Sequence, residues 1–126
     1  MKILKDLMYT KTHEWIKMTG DKKAKIGLTD FAQDSLGSLV FVNLPEVGDE
    51  VSKDDSFGDV ESVKAVSDVF SPVNGKVSAI NEELLDSPEK INESAYDAWL
   101  IEVEDIEENK DLLTPEQYEK VCNEEA

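Results

Sequence analysis

Lys64 is the residue at which this sequence offers covalent chemistry. It lies in Phe57-Gly58-Asp59-Val60-Glu61-Ser62-Val63-Lys64-Ala65-Val66-Ser67-Asp68-Val69-Phe70, between two strand-like arms. Val60 and Val63 precede it, Val66, Val69 and Phe70 follow it, and β-branched and aromatic residues favour strands. Glu61, Ser62, Lys64 and Ala65 are a poor strand core but suit a tight reversal. The pattern predicts a hairpin over about 57–77 with Lys64 at or near its tip. A lysine there is solvated, mobile and reachable by a modifying enzyme. On spacing alone, an ordinary surface lysine is the competing reading.

The other reactive residues offer less. A single cysteine, Cys122, excludes an internal disulfide. One histidine and one cysteine, far apart in sequence, do not make a zinc site of the usual composition. A Ser-His or Cys-His centre would have to use His13. That residue is followed directly by Glu14-Trp15-Ile16, in strand-like surroundings. No nucleophile, base and oxyanion hole are held together by the pattern, so the chain reads as non-catalytic.

The elements that must position Lys64 follow from periodicity. His13 to Met18 and Lys23 to Leu28 read as a first hairpin around Thr19-Gly20-Asp21-Lys22. Thr29 or Asp30 offers an N-cap for a short helix, and Gly37 suits its end. Leu39-Val40-Phe41-Val42 is nearly all apolar, which predicts a strand buried on both faces or at a sheet junction. Pro45 to Asp49 is a turn, and Val51 starts a short strand. Asn81 to Ser94 is acidic, carries Pro88, and reads as a loop or an irregular helical turn. Trp99, Ile101 and Val103 alternate with Leu100, Glu102 and Glu104, the pattern of a half-buried strand. Thr114-Pro115-Glu116-Gln117 combines a capping box with proline at the first helical position. The helix it opens, about 114–123, is too short to stand alone. Its Tyr118, Val121 and Cys122 should therefore dock, Cys122 as a small core residue with no redox role. The fold class expected is mostly β: two small antiparallel sheets packed as a flattened barrel or sandwich, with a short internal helix and a C-terminal helix.

Composition bounds the partners. The 126 residues are the size of one domain, and 40% hydrophobic with 33% charged residues is a globular balance. Acidic residues outnumber basic ones 29 to 13, a net charge of −16. Such a charge repels phosphate backbones and anionic lipid, so neither nucleic acid nor a membrane surface is expected as a partner. It favours partners with basic docking surfaces. The first eight residues lack a long apolar segment with a small-residue cleavage site, which reads as a complete, cytoplasmic chain.

Glu61-Ser62-Val63-Lys64-Ala65, then Ser67-Asp68-Val69 and Ser71-Pro72-Val73-Asn74-Gly75-Lys76-Val77, resemble the lipoyl-attachment segment of the glycine cleavage system H protein. Thr12-His13-Glu14-Trp15, Ile26-Gly27-Leu28-Thr29-Asp30, Ala32-Gln33-Asp34, Leu36-Gly37 and Val40 to Asp49 are similar to the same family, in its order. The resemblance runs from about Tyr9 to the C-terminal helix. Biotin carriers also place a lysine on a hairpin tip, but typically between methionines. The flanks Val63 and Ala65 favour lipoate.

The resemblance implies a single lipoyl-carrier domain over 1–126, of the lipoyl/biotinyl hammerhead type, with lipoate linked covalently to Lys64. It implies carriage of an aminomethyl group. The P protein, a pyridoxal-phosphate decarboxylase, would load it, the T protein would move it to tetrahydrofolate, and the L protein would reoxidise the dithiol. A lipoate ligase, or a lipoyl or octanoyl transferase, would attach the cofactor, with Glu61 as a recognition residue. Thr12, Glu14 and Asp68 match positions implicated around the cleft that shelters the loaded arm. Ser35 stands where some members carry a histidine, and it cannot act as a base near neutral pH. Ser94 to Trp99 also departs from the family's usual Pro-Tyr and glycine. Lipoyl-type domains have two similar halves, and Val47 to Val51 and Val73 to Val77 look like equivalent glycine turns. An H-like protein that donates lipoyl groups to other lipoate-dependent enzymes would carry the same hairpin.

Overall fold

A computed structural model describes residues 2–125. Among them the chain runs β1 (Met8–Tyr9), β2 (Glu14–Gly20), β3 (Lys23–Leu28), α1 (Asp30–Leu36), β4 (Leu39–Asn43), β5 (Glu50–Val51) and β6 (Ser56–Ser62). It continues through β7 (Val66–Phe70), β8 (Gly75–Ile80), α2 (Glu83–Asp86), α3 (Lys90–Glu93), β9 (Ile101–Glu104) and α4 (Pro115–Glu125). Two antiparallel sheets form, in the orders β1-β2-β3-β9-β8-β5 and β4-β6-β7. The fold is mostly β, with a C-terminal helix, as the periodicity predicted.

The main core lies between the sheets. Ile26, Ile101 and Val103 from one meet Val42, Val60 and Val69 from the other in a single buried cluster. Each such side chain contributes about 1.5–3 kcal/mol by leaving water. The exposed ion pairs Lys53–Asp111 and Lys90–Glu83 add little beside that. A second cluster holds Leu7, Tyr9, Trp15, Tyr118 and Cys122, and it docks α4 on β1 and β2. The capping box closes as its residue types require. Gln117 N–H donates to Thr114 Oγ1 at 3.2 Å, and Thr114 N–H donates to Gln117 Oε1 at 2.9 Å. Thr29, not Asp30, caps α1 by accepting the Ala32 N–H. Burial pushes the Cys122 thiol up from its ordinary range, consistent with an inert core residue.

Several local expectations are corrected. The strand at Leu39–Asn43 is not buried on both faces: Leu39 and Val42 are inside, whereas Val40 and Phe41 are exposed. An irregularity between Leu39 and Phe41 leaves Val40 unpaired with β6, and the outer face of this sheet has no layer over it. Leu100 is buried too, because its N–H bonds back to Ile26 before the alternation of β9 begins. For the acidic stretch 81–94, by contrast, the helical alternative holds: it forms two short turns, α2 and α3, anchored by buried Leu84 and Ile91. The two glycine segments are not equivalent turns. Gly48 is in a turn with φ 98°, but Gly75 opens β8, which is paired by β5 on one side and β9 on the other. The segments instead pair with each other, Glu50 opposite Lys76 and Val51 opposite Gly75.

The lysine hairpin crosses close to its neighbour at Gly58. A Cβ built there would lie 2.3 Å from the carbonyl oxygen of Asn43, a backbone atom that cannot step aside. Gly58→Ala must therefore part β4 from β6, at a cost of about 1–3 kcal/mol. Denaturant unfolding should show a lower midpoint with an unchanged slope.

Candidate functional site

The tip of the hairpin is built from Ser62. β6 and β7 pair with Glu61 opposite Val66, Val60 opposite Ser67 and Asp59 opposite Asp68. The reversal is closed by Ser62 N–H donating to Ala65 O at 2.8 Å. The Ser62 hydroxyl oxygen then accepts the Lys64 N–H at 3.2 Å and the Ala65 N–H at 3.0 Å. A side chain thus satisfies the backbone donors of the turn. No residue from 62 to 65 has a positive φ, so the turn needs no glycine.

Lys64 is exposed, and among the described residues its amine is in no ion pair. Its stem passes over Gly37, where an added Cβ would lie 3.3 Å from Lys64 Cε. Gly37 has φ 81° and ends α1. Asn92 of α3 holds that corner: its Nδ2 donates to Gly37 O at 2.9 Å and to Gln33 Oε1 at 3.0 Å, and its Oδ1 accepts the Leu39 N–H at 2.9 Å. Val63 N–H reaches Ser38 O at 3.4 Å. The backbone under Lys64 is pinned while its amine is free. A free primary amine at a protruding tip fits an amide-linked acyl group.

Glu61 stands half-buried in a row with Phe41 and Val66, on the outer face of the β4-β6-β7 sheet. The next row is Asn43, Asp59 and Asp68, with Asn43 Nδ2 donating to Asp59 Oδ1 at 2.7 Å. Asp68 is exposed there. The outer face of this sheet is thus acidic, with Phe41 of β4 and Val66 of β7 open to solvent.

Glu14 opens β2 and is 1% exposed, so it is no surface acid. Its Oε1 accepts the Thr10 hydroxyl at 2.6 Å and also the Thr12 hydroxyl. Its Oε2 accepts the N–H of Phe70, at the end of β7, at 3.4 Å. Burial pushes the carboxyl up from 4.5 to about 7; the three hydrogen bonds oppose the shift and Asp54 adds to it. The structure thus brings Thr12 and Glu14 together and ties them to the hairpin strand that carries Asp68. It does not bring Ser35 to them: Ser35 is exposed on α1, and no hydrogen bond joins it to Thr12, Glu14 or Asp68 among the described residues.

Four participants were not singled out from sequence as parts of a site. Ser62 carried a local signal, since serine beside a reversal bonds nearby backbone. Gly37 and Asn92 carried none as parts of a site, because Gly37 meets Asn92 and Lys64 only across distant elements. Thr10 bonds to Thr12 and Glu14 close by in sequence, but nothing there reports that Glu14 is buried. His13 lies outside any strand, in the turn before β2, with φ 73°.

Comparison with known proteins agrees with this geometry. The family model described as glycine cleavage H-protein matches residues 7–125. The glycine cleavage system H protein of Lachnoclostridium phytofermentans is 58% identical over 125 residues, covering 99% of this chain and 98% of that one. The protein of the same name from Listeria monocytogenes serovar 1/2a is 56% identical over 126 residues, covering 98% and 100%. A crystal structure of a glycine cleavage system H protein from Mycobacterium marinum superposes with a TM-score of 0.85 at 37% identity, covering 98% of both chains. The chain belongs to the glycine cleavage H-protein family.

Proposed function

We propose that the protein is a non-catalytic carrier of glycine cleavage, lipoylated on Lys64. The free Lys64 amine on a pinned tip, in a chain of this family, is the observation that carries the reading. When bound, lipoate supplies a dithiolane that accepts the aminomethyl carbon left by glycine decarboxylation and is reduced as it does so. The chain's own residues do the rest. The Lys64 nitrogen provides the attachment point, and Ser62, Gly37 and Asn92 hold the backbone beneath it at one geometry. Glu61, one row behind the tip, gives the attaching enzyme a mark that distinguishes this lysine from the other twelve. Glu14 would hold a protonated amine by a charge-assisted hydrogen bond, with Thr12 orienting the carboxylate and Asp68 adding charge at the rim. Ser35 would line that cleft only through movement of the arm toward α1.

The partners on this reading are the P, T and L proteins and a lipoate ligase or a lipoyl or octanoyl transferase. The acidic surface suits basic docking faces on them, and tethering raises the local concentration of the arm at whichever partner is docked. Such a bacterial carrier would work in the cytoplasm, and no helix among the described residues is long and apolar enough to cross a membrane.

Reconstitution tests the proposal. The lipoylated protein should take up methylamine from glycine in the presence of a glycine decarboxylase, and pass the carbon on when the aminomethyltransferase and tetrahydrofolate are added. Failure to load, with lipoyl transfer to another enzyme intact, would select the lipoyl-donor reading instead. Ser62→Ala tests the tip itself. It removes the acceptor for two amides, each worth about 0.5–1.5 kcal/mol. Lipoylation should slow about threefold to tenfold, read as initial rates with a lipoate ligase.

A further inference from the structure

The turn that carries Thr12 and Glu14 contains a residue in a conformation it should avoid. Thr10 N–H donates to Glu14 O at 3.0 Å and His13 N–H donates to Thr10 O at 3.2 Å, which leaves a three-residue loop between β1 and β2. Loops of this form place their last residue in the left-handed region, where glycine is usual. Here that residue is His13, with φ 73°. A side chain persists there only where its surroundings over-determine it, and such outliers concentrate at functional positions.

The surroundings of His13 are specific. Its Nδ1 lies 2.8 Å from the hydroxyl of Tyr118, on α4, and its Nε2 lies 3.0 Å from the carboxylate of Glu125 at the end of the same helix. The Tyr118 hydroxyl is 2.6 Å from Thr29 Oγ1, and Thr29 N–H donates back to His13 O at 3.1 Å. The imidazole stacks on Phe31 of α1 with ring centroids 4.5 Å apart. Tyr118 is fully buried and stacks on Tyr9, the residue just before Thr10. For a neutral imidazole the donors run one way. Nε2 faces a carboxylate and must donate, so Nδ1 accepts from Tyr118, and Tyr118 in turn accepts from Thr29. His13 is therefore fixed by α1, by the start of that helix and by both ends of the docked face of α4. Its two neighbours in sequence are Thr12 and Glu14, which bond to each other and, through Glu14, to the Phe70 N–H of the lysine hairpin.

We infer that His13 is a positioning residue: it locks the Thr10–Glu14 turn to the C-terminal helix through Tyr118, so that α4 sets the placement of Thr12 and Glu14 against the lysine hairpin. The inference rests on the carrier reading only for the use to which that placement is put.

His13→Gly separates this role from plain structure, because glycine relieves the left-handed strain while deleting the ring. If the ring only occupies a strained turn, the glycine variant keeps or tightens the turn. If it positions the turn, the turn loosens although its strain is gone. The measurement is amide hydrogen exchange on protein carrying no lipoate, with Tyr118→Phe as the second variant. Phenylalanine keeps the stack on Tyr9 and removes only the hydroxyl. The expected result in both variants is exchange at the Phe70 amide at least about tenfold faster, with amides at the centres of β6 and β9 unchanged. Unchanged exchange at Phe70, or a uniform rise at all amides, overturns the proposal. With lipoylated protein, the amine-loaded carrier should lose its amine several times faster in both variants than in the wild type, and an equal lifetime overturns the link to the cleft. If the wild type itself does not load, the carrier reading falls, and the exchange result still decides the role of His13.

Discussion

Lys64→Arg should fold and melt as the wild type does and accept no lipoate. Arginine keeps the positive charge and the length of the stem over Gly37, so the tip loses no packing. The bonds that close the turn belong to Ser62 and to the backbone of residues 62–65, and none uses the lysine amine. A guanidinium stays protonated at any working pH and offers no amine to acylate. Modification should fall to background, and glycine-dependent turnover in a reconstituted system with it. The melting temperature should change by no more than about 2 °C, as for other exposed substitutions. A large loss of stability would mean that the lysine is part of the packing, contrary to the free-tip geometry.

The second large effect belongs to Glu14. Burial raises its carboxyl from 4.5 to about 7, so between those values the folded protein holds a proton that the unfolded chain has released. The stability linked to that proton is present in full below about pH 4.5 and is lost as the pH rises through about 7. At about 1.4 kcal/mol for each tenfold change in proton affinity, the difference is about 3 kcal/mol. Glu14→Gln cannot titrate. Relative to the wild type, its unfolding free energy should therefore rise by about 3 kcal/mol between pH 4.5 and pH 8, where the wild type must bury a charge. The many other carboxylates titrate in both proteins and cancel in the comparison. A difference that stays flat with pH would show that Glu14 is solvated. The same property suits a cleft for a cation: a protonated amine brought beside a buried carboxyl favours its ionised form, so the pair forms together. On that account the glutamine variant should hold a loaded amine less long, although it folds better at neutral pH.

How far these features can be read from sequence depends on how local they are. The lysine hairpin shows itself because valines flank a polar reversal over a few residues. The capping box at Thr114 and Gln117 shows itself because both its hydrogen bonds span three residues. The buried state of Glu14 does not. Its hydroxyl partners lie two and four residues away, but the Phe70 amide that completes the site is 56 residues on. The left-handed backbone of His13 is equally silent, since nothing in Thr-His-Glu reports that Tyr118, 105 residues away, will hold the ring. Val40 and Phe41 misled because an apolar run predicts burial, whereas one unpaired residue in the strand turns both toward solvent. The lipoyl assignment came from resemblance. Geometry supplied the free amine and pinned backbone that make it chemically coherent.

Intact mass of the protein purified from its own source, with the modified peptide sequenced, tests the central claim most directly. The account predicts one lipoyl group, confined to Lys64. A biotin adduct, or an unmodified Lys64 where lipoate and its attaching enzyme are present, would contradict it.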